Sequence, residues 1–489
     1  MQRKPPSKRE IQSNKSKAPL VKQASKTSQD DSKSKWNIPI LLVMGLTLLA
    51  YAQVFGFFYL NWDDNLNITE NPNVTNFTLQ KIGDIFSLDH GTIIGNYNPL
   101  PILSFGLEKM MIGGLNPIVA HGINLAFHIA CVYLVYRLFL LLKFENFGAL
   151  FIALLFGIHP MRVESVAWVT ERKDVLFAFF FLLSLIQYLR LIQNEKSTKN
   201  YVLMLVFAVL AMLSKVQAVS LPLAMLMIDY WMKRPNPLKL ILEKWPLWLM
   251  SLGTGLLTIY TLRTYGSLDT AFQDQSILLK LGIATTSFVT YLYKFIVPFP
   301  MIPLYPFPSE LSTFAYFSIA IVAAIIGLCV AFRKNEAARI WIFGLGFFTV
   351  NVIFVLQFVN AGQGYMADRF TYMSYIGLFA ILAWYLQKWQ KLASRKNLAQ
   401  VVTYGFAGIC LLLTYVQLPI WRDSGALWTH VIESEDGSKI PLPYINRGTF
   451  YRSSQQHDLA VQDLAKAIQV KPDEPEAYLA MGKTYFDQG

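Results

Sequence analysis

The stretch NIPILLVMGLTLLAYAQVFGFFYLNWDD, residues 37–64, decides the fold, because its long apolar run ends beside two adjacent acids. A membrane-spanning helix needs about 20 mostly apolar residues, and residues 37–60 supply them. The run is too long for a cleaved signal, and no small-residue cleavage site follows it. We therefore predict a first span that carries the two acids to the membrane surface.

Composition indicates that lipid is the solvent of most of the chain. Of its 489 residues, 54% are hydrophobic and 15% are charged, whereas soluble domains carry about 25% charged residues. The net charge of +12 lies mostly in the N-terminal tail and in short loops between apolar runs, as cytoplasmic charge does. This distribution argues against a nucleic-acid partner. The predicted fold class is an all-α, polytopic helical membrane protein.

Changes in composition divide the chain into four parts. Residues 1–36 are rich in Lys and Ser and poor in apolar residues, so we predict a disordered basic cytoplasmic tail. The other parts are a multi-spanning domain over 37–420 with its first external loop at 61–117, a connector over 421–442 and a helical repeat over 443–489.

Further apolar runs follow the first one, and some are shorter than a full span. They lie near 118–142, 146–159, 174–191, 200–214, 217–232, 245–263, 278–297, 313–332, 338–359, 372–387 and 400–419. The Lys and Arg residues between them predict which ends are cytoplasmic. On that assignment the run 278–297, closely followed by several prolines, is re-entrant or interfacial. The prediction is then about 11 transmembrane helices, a cytoplasmic N-terminus and an extracytoplasmic C-terminus.

From about residue 421 the chain becomes polar and shows an internal period of 34 residues. The repeated residues are Tyr444, Gly448 and Tyr451, which recur as Tyr478, Gly482 and Tyr485. This period is typical of tetratricopeptide repeats, in which small residues let two helices pack closely and aromatic residues fill the gap to the next pair. Because the chain stops at Gly489, inside the second repeat, we expect a truncated array or a lone repeat supported by the membrane domain.

The sequence Trp62-Asp63-Asp64 is the strongest candidate for a catalytic site. A general base must be unprotonated at the working pH and within hydrogen-bond reach of its target, and a pair offers one acid as base and a second to steer the acceptor. A solvated turn is the alternative, because Asp is a favoured turn residue. The motif does not decide which acid would be the base. Both side chains are predicted to be external, so substitution by Asn should leave folding intact.

Three cations stand at the predicted outer ends of spans. Lys215 interrupts the turn between two runs, Arg263 ends a run and Arg369 precedes another. They would suit the phosphate of a lipid-linked donor, because Arg forms bidentate contacts and Lys acts as a point charge. Alternatively, each cation is an interfacial anchor that extends towards the lipid headgroups.

Other polar residues are predicted to support this outer site or to join helices. The supporting residues at span ends are His159, Glu164, Arg172, Asp174 and Asp368. His121, Asn124 and His128 form one stripe of the second span, too few for a metal site, and should form hydrogen bonds between helices. Near an inner helix end, Asp229 should pair with Lys233, four residues on.

These motifs, in matching order over about residues 55–489, resemble the transmembrane and tetratricopeptide repeat-containing (TMTC-like) O-mannosyltransferases. The matching motifs are Trp62-Asp63-Asp64, Ile68 to Pro72, Tyr97 to Leu100, Asn116-Pro117 with His121, Asn124 and His128, His159 to Val166 with Arg172 to Asp174, Asp368 to Tyr372, and Trp421 to Asp423 with Leu427-Trp428. The stretch that begins at Asp368 is similar to an external Glu-Arg-Tyr-type motif of that family.

The resemblance implies a GT-C class glycosyltransferase, a hexosyltransferase that depends on a polyprenyl-phosphate sugar. Such an enzyme transfers a sugar, usually mannose, to a Ser or Thr hydroxyl of a protein on the extracytoplasmic side, with inversion at the anomeric carbon. The catalytic acid carries over to Asp63 or Asp64, and Tyr97 joins the supporting residues. No cofactor is required, although a divalent metal could bind at the acid pair.

The resemblance also implies partners and a location. The partners are the lipid-linked donor, membrane lipids and an acceptor protein that the repeat could bind. The location is a bacterial inner membrane, or the endoplasmic reticulum membrane in a eukaryote.

Two other functions remain as alternatives. A transporter or lipid flippase would show paired repeats and polar residues at mid-membrane depth, whereas the polar residues here gather at one face. A non-catalytic assembly scaffold would need neither so many spans nor an external acid pair.

Overall fold

The computed structural model describes residue 1 and residues 38–193, 197–267, 276–308, 310, 312–358 and 362–488. Apart from Met1, the predicted basic tail lies outside the described residues. The chain divides into two units, Met1–Asn37 and Ile38–Gly489, and all other described residues belong to the second unit.

Helices dominate the described residues, which confirms the all-α prediction. The membrane domain contains α1 (Ile38–Ala50), α2 (Pro72–Thr75), α3 (Ile82–Phe86), α4 (Leu88–Gly91), α5 (Pro99–Ile112), α6 (Pro117–Leu141), α7 (Asn146–Ile158), α8 (Val163–Ala167), α9 (Arg172–Gln193), α10 (Thr198–Ser214), α11 (Leu221–Trp231), α12 (Pro237–Leu242), α13 (Trp245–Thr264), α14 (Ile277–Ile296), α15 (Thr313–Ala331), α16 (Arg339–Val352), α17 (Thr371–Lys391) and α18 (Lys396–Gln417). After it come α19 (Ser424–Glu433), α20 (Leu442–Ser453), α21 (His457–Val470) and α22 (Pro475–Gln488). Within the described ranges the only strands are β1 (Thr92–Ile93) and β2 (Asn96–Tyr97), an antiparallel pair in the register Thr92↔Tyr97 and Ile93↔Asn96.

Six helical segments among the described residues are long and apolar enough to cross a membrane, or seven if a pair bent by 61° between Ile158 and Pro160 counts as one. They are Ile38–Gly56, Pro117–Leu141, Val169–Gln193, Thr313–Ala331, Glu336–Val355 and Lys396–Trp421, and the bent pair is Asn146–Ile158 with Pro160–Ala167. A multi-pass membrane protein follows, although this count is below the 11 helices predicted.

When the bent pair is counted as one span, the difference from the predicted number comes from four predicted spans. Two are short, namely α10 and the segment Val216–Trp231. The other two, α13 and α17, have 20 and 21 residues but mix their apolar side chains with Gly, Thr, Tyr and Trp. The run 278–297 forms the continuous helix α14, and its re-entrant or interfacial placement stays a prediction.

The centre of the membrane domain is a bundle in which α9 packs along α6 and α10, and α17 packs along α7 and α16. One large hydrophobic core fills this bundle. Glycines bring the backbones of α16 and α17 into contact, since a Cβ on Gly344 would lie 2.5 Å from the carbonyl oxygen of Gly377. Small residues permit such close approach of membrane helices.

The first external loop has a hydrophobic cluster of its own. Its buried members are Ile68, Val74, Phe77, Ile85, Ile102, Phe105, Ala120 and Val169. Two of these residues, Ala120 and Val169, belong to the segments that open α6 and α9, so the loop is packed on the end of the bundle where these two helices begin. The loop that follows the acid pair is therefore folded and packed against the bundle.

The loop between α11 and α12 corrects one predicted ion pair. Asp229 pairs with Lys244 at 2.5 Å and with Arg234 at 3.0 Å, whereas Lys233 pairs with Glu336 at 2.9 Å. The predicted pair of Asp229 with Lys233 required a continuous helix. Lys233 instead adopts a left-handed conformation, with φ of 57°, which turns its side chain away from the helical position.

The C-terminal helices α20, α21 and α22 pack against one another as a tetratricopeptide helix pair and the first helix of the next. Gly448 allows the close approach of α20 and α21, because a Cβ there would lie 3.0 Å from the Cγ of Leu464. A bidentate ion pair between Arg447 and Asp463, with both N–O distances 2.8 Å, joins the same two helices. These contacts confirm the predicted helical repeat.

Candidate active site

The acid pair lies just after α1, and its second member is anchored. Asp64 is fully buried, and its Oδ2 accepts a hydrogen bond from the backbone N–H of Leu60 at 2.8 Å. Its Oδ1 accepts from the backbone N–H of Thr170 at 2.9 Å and from the Thr170 hydroxyl. Burial raises the pKa of Asp64 to about 6, although these hydrogen bonds oppose the rise. The prediction that both side chains are exposed to solvent is therefore wrong for Asp64. Its hydrogen bonds with Thr170 tie the first loop to the segment that opens α9.

Asp63 differs from its neighbour because its carboxylate is open. It is half-buried, and among the described residues no hydrogen bond or ion pair engages its side-chain oxygens, while its carbonyl oxygen accepts from the backbone N–H of Asn67. Burial raises the pKa of Asp63 above its ordinary value, and the positive charges of Lys173 and Arg369 partly offset that rise. Such a group can accept a proton.

Glu171 brings three cations together at the start of α9. Its Oε1 lies 3.1 Å from the Nζ of Lys173 and 3.1 Å from the Nε of Arg369, and its Oε2 lies 3.6 Å from the Nζ of Lys215. The structure thus places Lys215 and Arg369, two of the three predicted phosphate-binding residues, around one buried carboxylate. Trp62, the residue before Asp63, stacks on Trp168 with ring centroids 4.6 Å apart. Lys173 and Arg369 lie 5.9 Å and 5.3 Å from the centre of that Trp168 ring, so the acid pair and the cations border the same aromatic side chains.

The two predicted cations each have a second carboxylate. Glu164 pairs with the guanidinium of Arg369 through Oε1, and its Oε2 accepts from the Arg369 backbone N–H at 3.0 Å. Asp174 pairs with Lys215 through Oδ1, and its Oδ2 accepts from the hydroxyl of Ser165 at 2.9 Å. Buried charges need such partners, so these acids fix the orientation of both cations.

Asp368 forms a neighbouring group that includes a residue missed from the sequence. Its Oδ1 lies 3.0 Å from the Nζ of buried Lys294, and the hydroxyl of Tyr305 donates to the same carboxylate at 3.1 Å. Lys294 lies within the apolar run of α14, where a lone buried Lys signals a partner on another helix. This group joins α14 to the segment that carries Arg369.

Arg263 and Tyr97 do not join the cluster. Arg263 is exposed at the end of α13, and no ion pair or hydrogen bond links it to the cluster within the described ranges. Tyr97 lies on β2, and its hydroxyl donates to the carbonyl oxygen of Phe86 at 2.8 Å inside the external loop. Among the described residues, neither one has a hydrogen bond or an ion pair with Asp63, and their predicted roles stay predictions.

His159 and Arg172 have supporting contacts that join elements of the bundle. The Nε2 of His159 lies 3.2 Å from the carbonyl oxygen of Phe295. Arg172 donates to Glu108 at 2.6 Å and to the Oδ1 of Asn124 at 2.9 Å, which connects α9 to α5 and α6. These two residues position the helices around the site.

The stripe on α6 forms the predicted hydrogen bonds between segments. The amide of Asn124 donates to the carbonyl oxygen of Trp168 at 3.2 Å. His128 lies 2.6 Å from the hydroxyl of Tyr372 through Nδ1 and 3.1 Å from the carbonyl oxygen of Gly157 through Nε2. The prediction is confirmed for Asn124 and His128.

The repeat region contacts the site through Asn61, two residues before Asp63. The backbone N–H of Asn61 donates to the hydroxyl of Ser424 at 2.9 Å, and its side-chain amide donates to the carbonyl oxygen of Asn446 at 2.7 Å. The indole N–H of Trp428 donates to Asn61 Oδ1 at 2.8 Å. The sequence motif Leu427-Trp428 drew attention to Trp428, but it did not predict Asn61, which lies 367 residues away along the chain, as its partner.

Comparison with known proteins finds relatives that match parts of the chain. A family model described as TPR repeat matches residues 448–489. Protein O-mannosyl-transferase TMTC4 from Homo sapiens is 28% identical over 206 residues, which cover 37% of this chain and 27% of the relative. Protein O-mannosyl-transferase TMTC1 from Mus musculus is 33% identical over 159 residues, 30% of this chain and 16% of the relative. Protein O-mannosyl-transferase TMTC2 from Mus musculus is 37% identical over 114 residues, 23% of this chain and 13% of the relative.

The chain is TMTC-like. This confirms the resemblance drawn from the sequence motifs. The matched segments span only about a quarter or less of the length of these TMTC relatives. No solved structure matches the chain.

The donor set around the acids of this TMTC-like chain does not fit a metal ion well. Within the part of the chain that the structure describes, no group of three or more His, Cys, Asp or Glu residues could hold one. The carboxylate of Asp64 already accepts three hydrogen bonds, so Asp63 alone of the pair offers an open ligand. A divalent cation requires several oxygen ligands.

Proposed function

We propose that this protein is a membrane glycosyltransferase of the GT-C class that transfers mannose from a polyprenyl-phosphate donor to a Ser or Thr hydroxyl of a protein. The transfer would take place on the extracytoplasmic side and invert the anomeric carbon. The observation that carries the proposal is the open carboxylate of Asp63 beside Trp62, which stacks on the Trp168 ring that also contacts Arg369. The printed names of the relatives, protein O-mannosyl-transferases, support the reaction type.

Asp63 is the proposed base, and Asp64 is a positioning residue. A base needs a lone pair free to accept the proton of the acceptor, and Asp63 meets this requirement. The carboxylate of Asp64 already accepts three hydrogen bonds, so Asp64 is poorly suited to act as the base. By binding Thr170, Asp64 holds its neighbour beside the residues that open α9.

The proposed reaction is a single displacement. Asp63 takes the proton of the acceptor hydroxyl as the oxygen forms a bond to the anomeric carbon. The bond between that carbon and the phosphate oxygen breaks, and its electron pair leaves with the polyprenyl phosphate. Attack opposite to the leaving group inverts the anomeric carbon. A phosphate is a good leaving group, so no general acid and no cofactor are required, and we propose that the reaction is independent of divalent metal.

Lys173, Lys215 and Arg369 are the proposed contacts of the leaving phosphate. Their carboxylate partners hold them in place before the donor binds, and preorganised charge of this kind is most effective where negative charge develops in the transition state. The side chains are 20%, 10% and 18% exposed, which leaves each partly accessible. Arg263, which lies outside the cluster, has no role in this proposal.

The repeat would present the acceptor protein to Asp63. Asn61 links the two parts, because it binds Ser424 and Asn446 and precedes the base by only two residues. An acceptor bound along α20 would therefore be close to the proposed base. Tetratricopeptide repeats offer extended binding surfaces, which supports a protein as the acceptor.

Transfer of radiolabelled mannose from a polyprenyl-phosphate mannose to Ser/Thr peptides by the purified full chain tests the proposal. Asp63→Asn should lower kcat about 100-fold or more, because it removes the base. The matched control is Asp84→Asn, an exposed acid of the same loop, which should keep activity within about twofold. The proposal fails if Asp63→Asn, shown to be folded by its Tm, transfers mannose as fast as the parent chain.

A further inference from the structure

A basic pocket lies between the ends of α11, α15 and α16, away from the candidate active site. Its cavity has a volume of about 300 Å³. The lining residues are Tyr230, Lys233, Arg234, Arg333, Lys334, Asn335, Glu336 and Arg339. Five of these residues are cationic and only one is acidic, so the pocket is suited to an anion.

The pocket and the active site are at opposite ends of the same helices. At the active-site end, Gln217 follows Lys215 and donates to the carbonyl oxygen of Asn351 at 2.8 Å. At the other end, Lys233 pairs with Glu336 at 2.9 Å. α16 lies between these two contacts, and its 14 residues rise about 20 Å. The pocket therefore belongs to the other membrane face, where the excess of Lys and Arg predicts the cytoplasm.

Two of the lining cations have no acidic partner within the part of the chain that the structure describes. Arg234 is neutralised by Asp229 and Glu243, and Arg339 pairs with Glu336, which also holds Lys233. These ion pairs neutralise the acids close to the pocket and hold the paired side chains of its lining in place. The two remaining cations are Arg333 and Lys334, both exposed and without an ion pair among the described residues. They supply the charge that an incoming anion would meet.

The position of the pocket favours a lipid as the source of the anion. Arg333 and Lys334 follow α15 directly, and α15 is a candidate span with only 11% of its residues buried. Leu328, Val330 and Phe332 at its end are exposed apolar side chains, which would face acyl chains. If α15 spans the membrane, a cation pair at its end would be level with the phosphate groups of the headgroups.

We propose that this pocket binds the phosphate of an anionic phospholipid headgroup, with Arg333 and Lys334 as the phosphate contacts and Tyr230 at its side. The acyl chains of the lipid would lie along the exposed face of α15. Binding here does not depend on the proposed sugar transfer, because the pocket shares no residue with the cluster around Glu171.

Native mass spectrometry of the full chain in detergent micelles, titrated with single lipids, tests this site. Phosphatidylglycerol should bind at least about tenfold more tightly than phosphatidylcholine, and inorganic phosphate should compete only weakly because it lacks acyl chains. The double variant Arg333→Gln/Lys334→Gln should bind phosphatidylglycerol roughly 10- to 30-fold more weakly, since each cation near the surface contributes about 1 kcal/mol.

The matched control removes the same charge outside the pocket. Lys239 and Lys396 are exposed, form no ion pair among the described residues and lie on the same predicted membrane face. Lys239→Gln/Lys396→Gln should change the affinity by less than about twofold. An equal loss in both double variants would overturn the proposal in favour of diffuse surface charge. Equal affinity for inorganic phosphate and phosphatidylglycerol would overturn the assignment to a lipid.

Discussion

Replacement of Glu108 by Leu should weaken the attachment of the external loop to the bundle. Glu108 on α5 accepts from Arg172 on α9 at 2.6 Å, and the two side chains are 4% and 0% exposed. Removal of one partner of a buried ion pair costs about 3–5 kcal/mol, because the other charge stays buried without compensation. At an unfolding entropy of about 2 cal/mol/K per residue, this corresponds to a fall in Tm of about 3–5 °C for a chain of 489 residues.

Thermal unfolding in detergent, followed by loss of the monodisperse peak, measures this change. Glu70→Leu is the matched control, since Glu70 is an exposed acid of the same loop and should change stability by less than about 0.5 kcal/mol. Adding Arg172→Met to Glu108→Leu should restore part of the lost stability, because the uncompensated charge is then gone. Full recovery is not expected, since the Oδ1 of Asn124 also loses its donor. The reasoning is refuted if Glu108→Leu unfolds like its control or if the two substitutions simply add.

Three further outcomes follow from the site and the repeat. If Asp63 is the base, kcat/KM should fall as the pH drops through a pKa above the ordinary value for Asp, since protonation removes the accepting lone pair, and a flat profile down to pH 4 would contradict this role. Lys215→Met and Arg369→Gln should each reduce kcat/KM for the polyprenyl-phosphate donor about tenfold or more while the KM of the acceptor peptide stays within twofold; equal effects on donor and acceptor would argue against phosphate contact. Gly448→Val should expose the repeat to limited proteolysis, because its Cβ would lie 3.0 Å from a side chain of α21, whereas Gly482→Val meets nothing within 4 Å and should resist like the parent chain.

The positive-inside pattern and hydropathy predicted a multi-pass membrane protein because lipid imposes a simple rule on sequence. Each spanning helix must be long and apolar, and this property is local to each run. Helices that lie inside a bundle escape the rule, since neighbouring helices cover their polar side chains. α17 is such a helix, because most of its residues, Tyr372 and Tyr375 among them, are buried in the bundle. Its composition is less apolar than that of the six long apolar segments.

Helical contacts between near neighbours were less predictable than they appeared. Asp229 and Lys233 stand four residues apart, a spacing that pairs side chains only if the helix continues. A left-handed backbone at Lys233 breaks this condition and sends the two residues to different partners. The new partner of Lys233, Glu336, lies just before α16, so the sequence around Asp229 alone does not reveal this pair.

The sequence by itself determined that two adjacent acids follow the first span, that charged residues open α9 and α17, and that a repeat of tetratricopeptide type comes last. It could not separate the roles of Asp63 and Asp64, which have the same side chain and adjoining positions. The fold separates them, because Thr170, 106 residues further on, donates to Asp64 and leaves Asp63 open. It also gathers Lys215 and Arg369 around Glu171 and leaves Arg263 outside. Partners this far apart in the chain meet only when helices pack, and a side chain's environment is set by that packing.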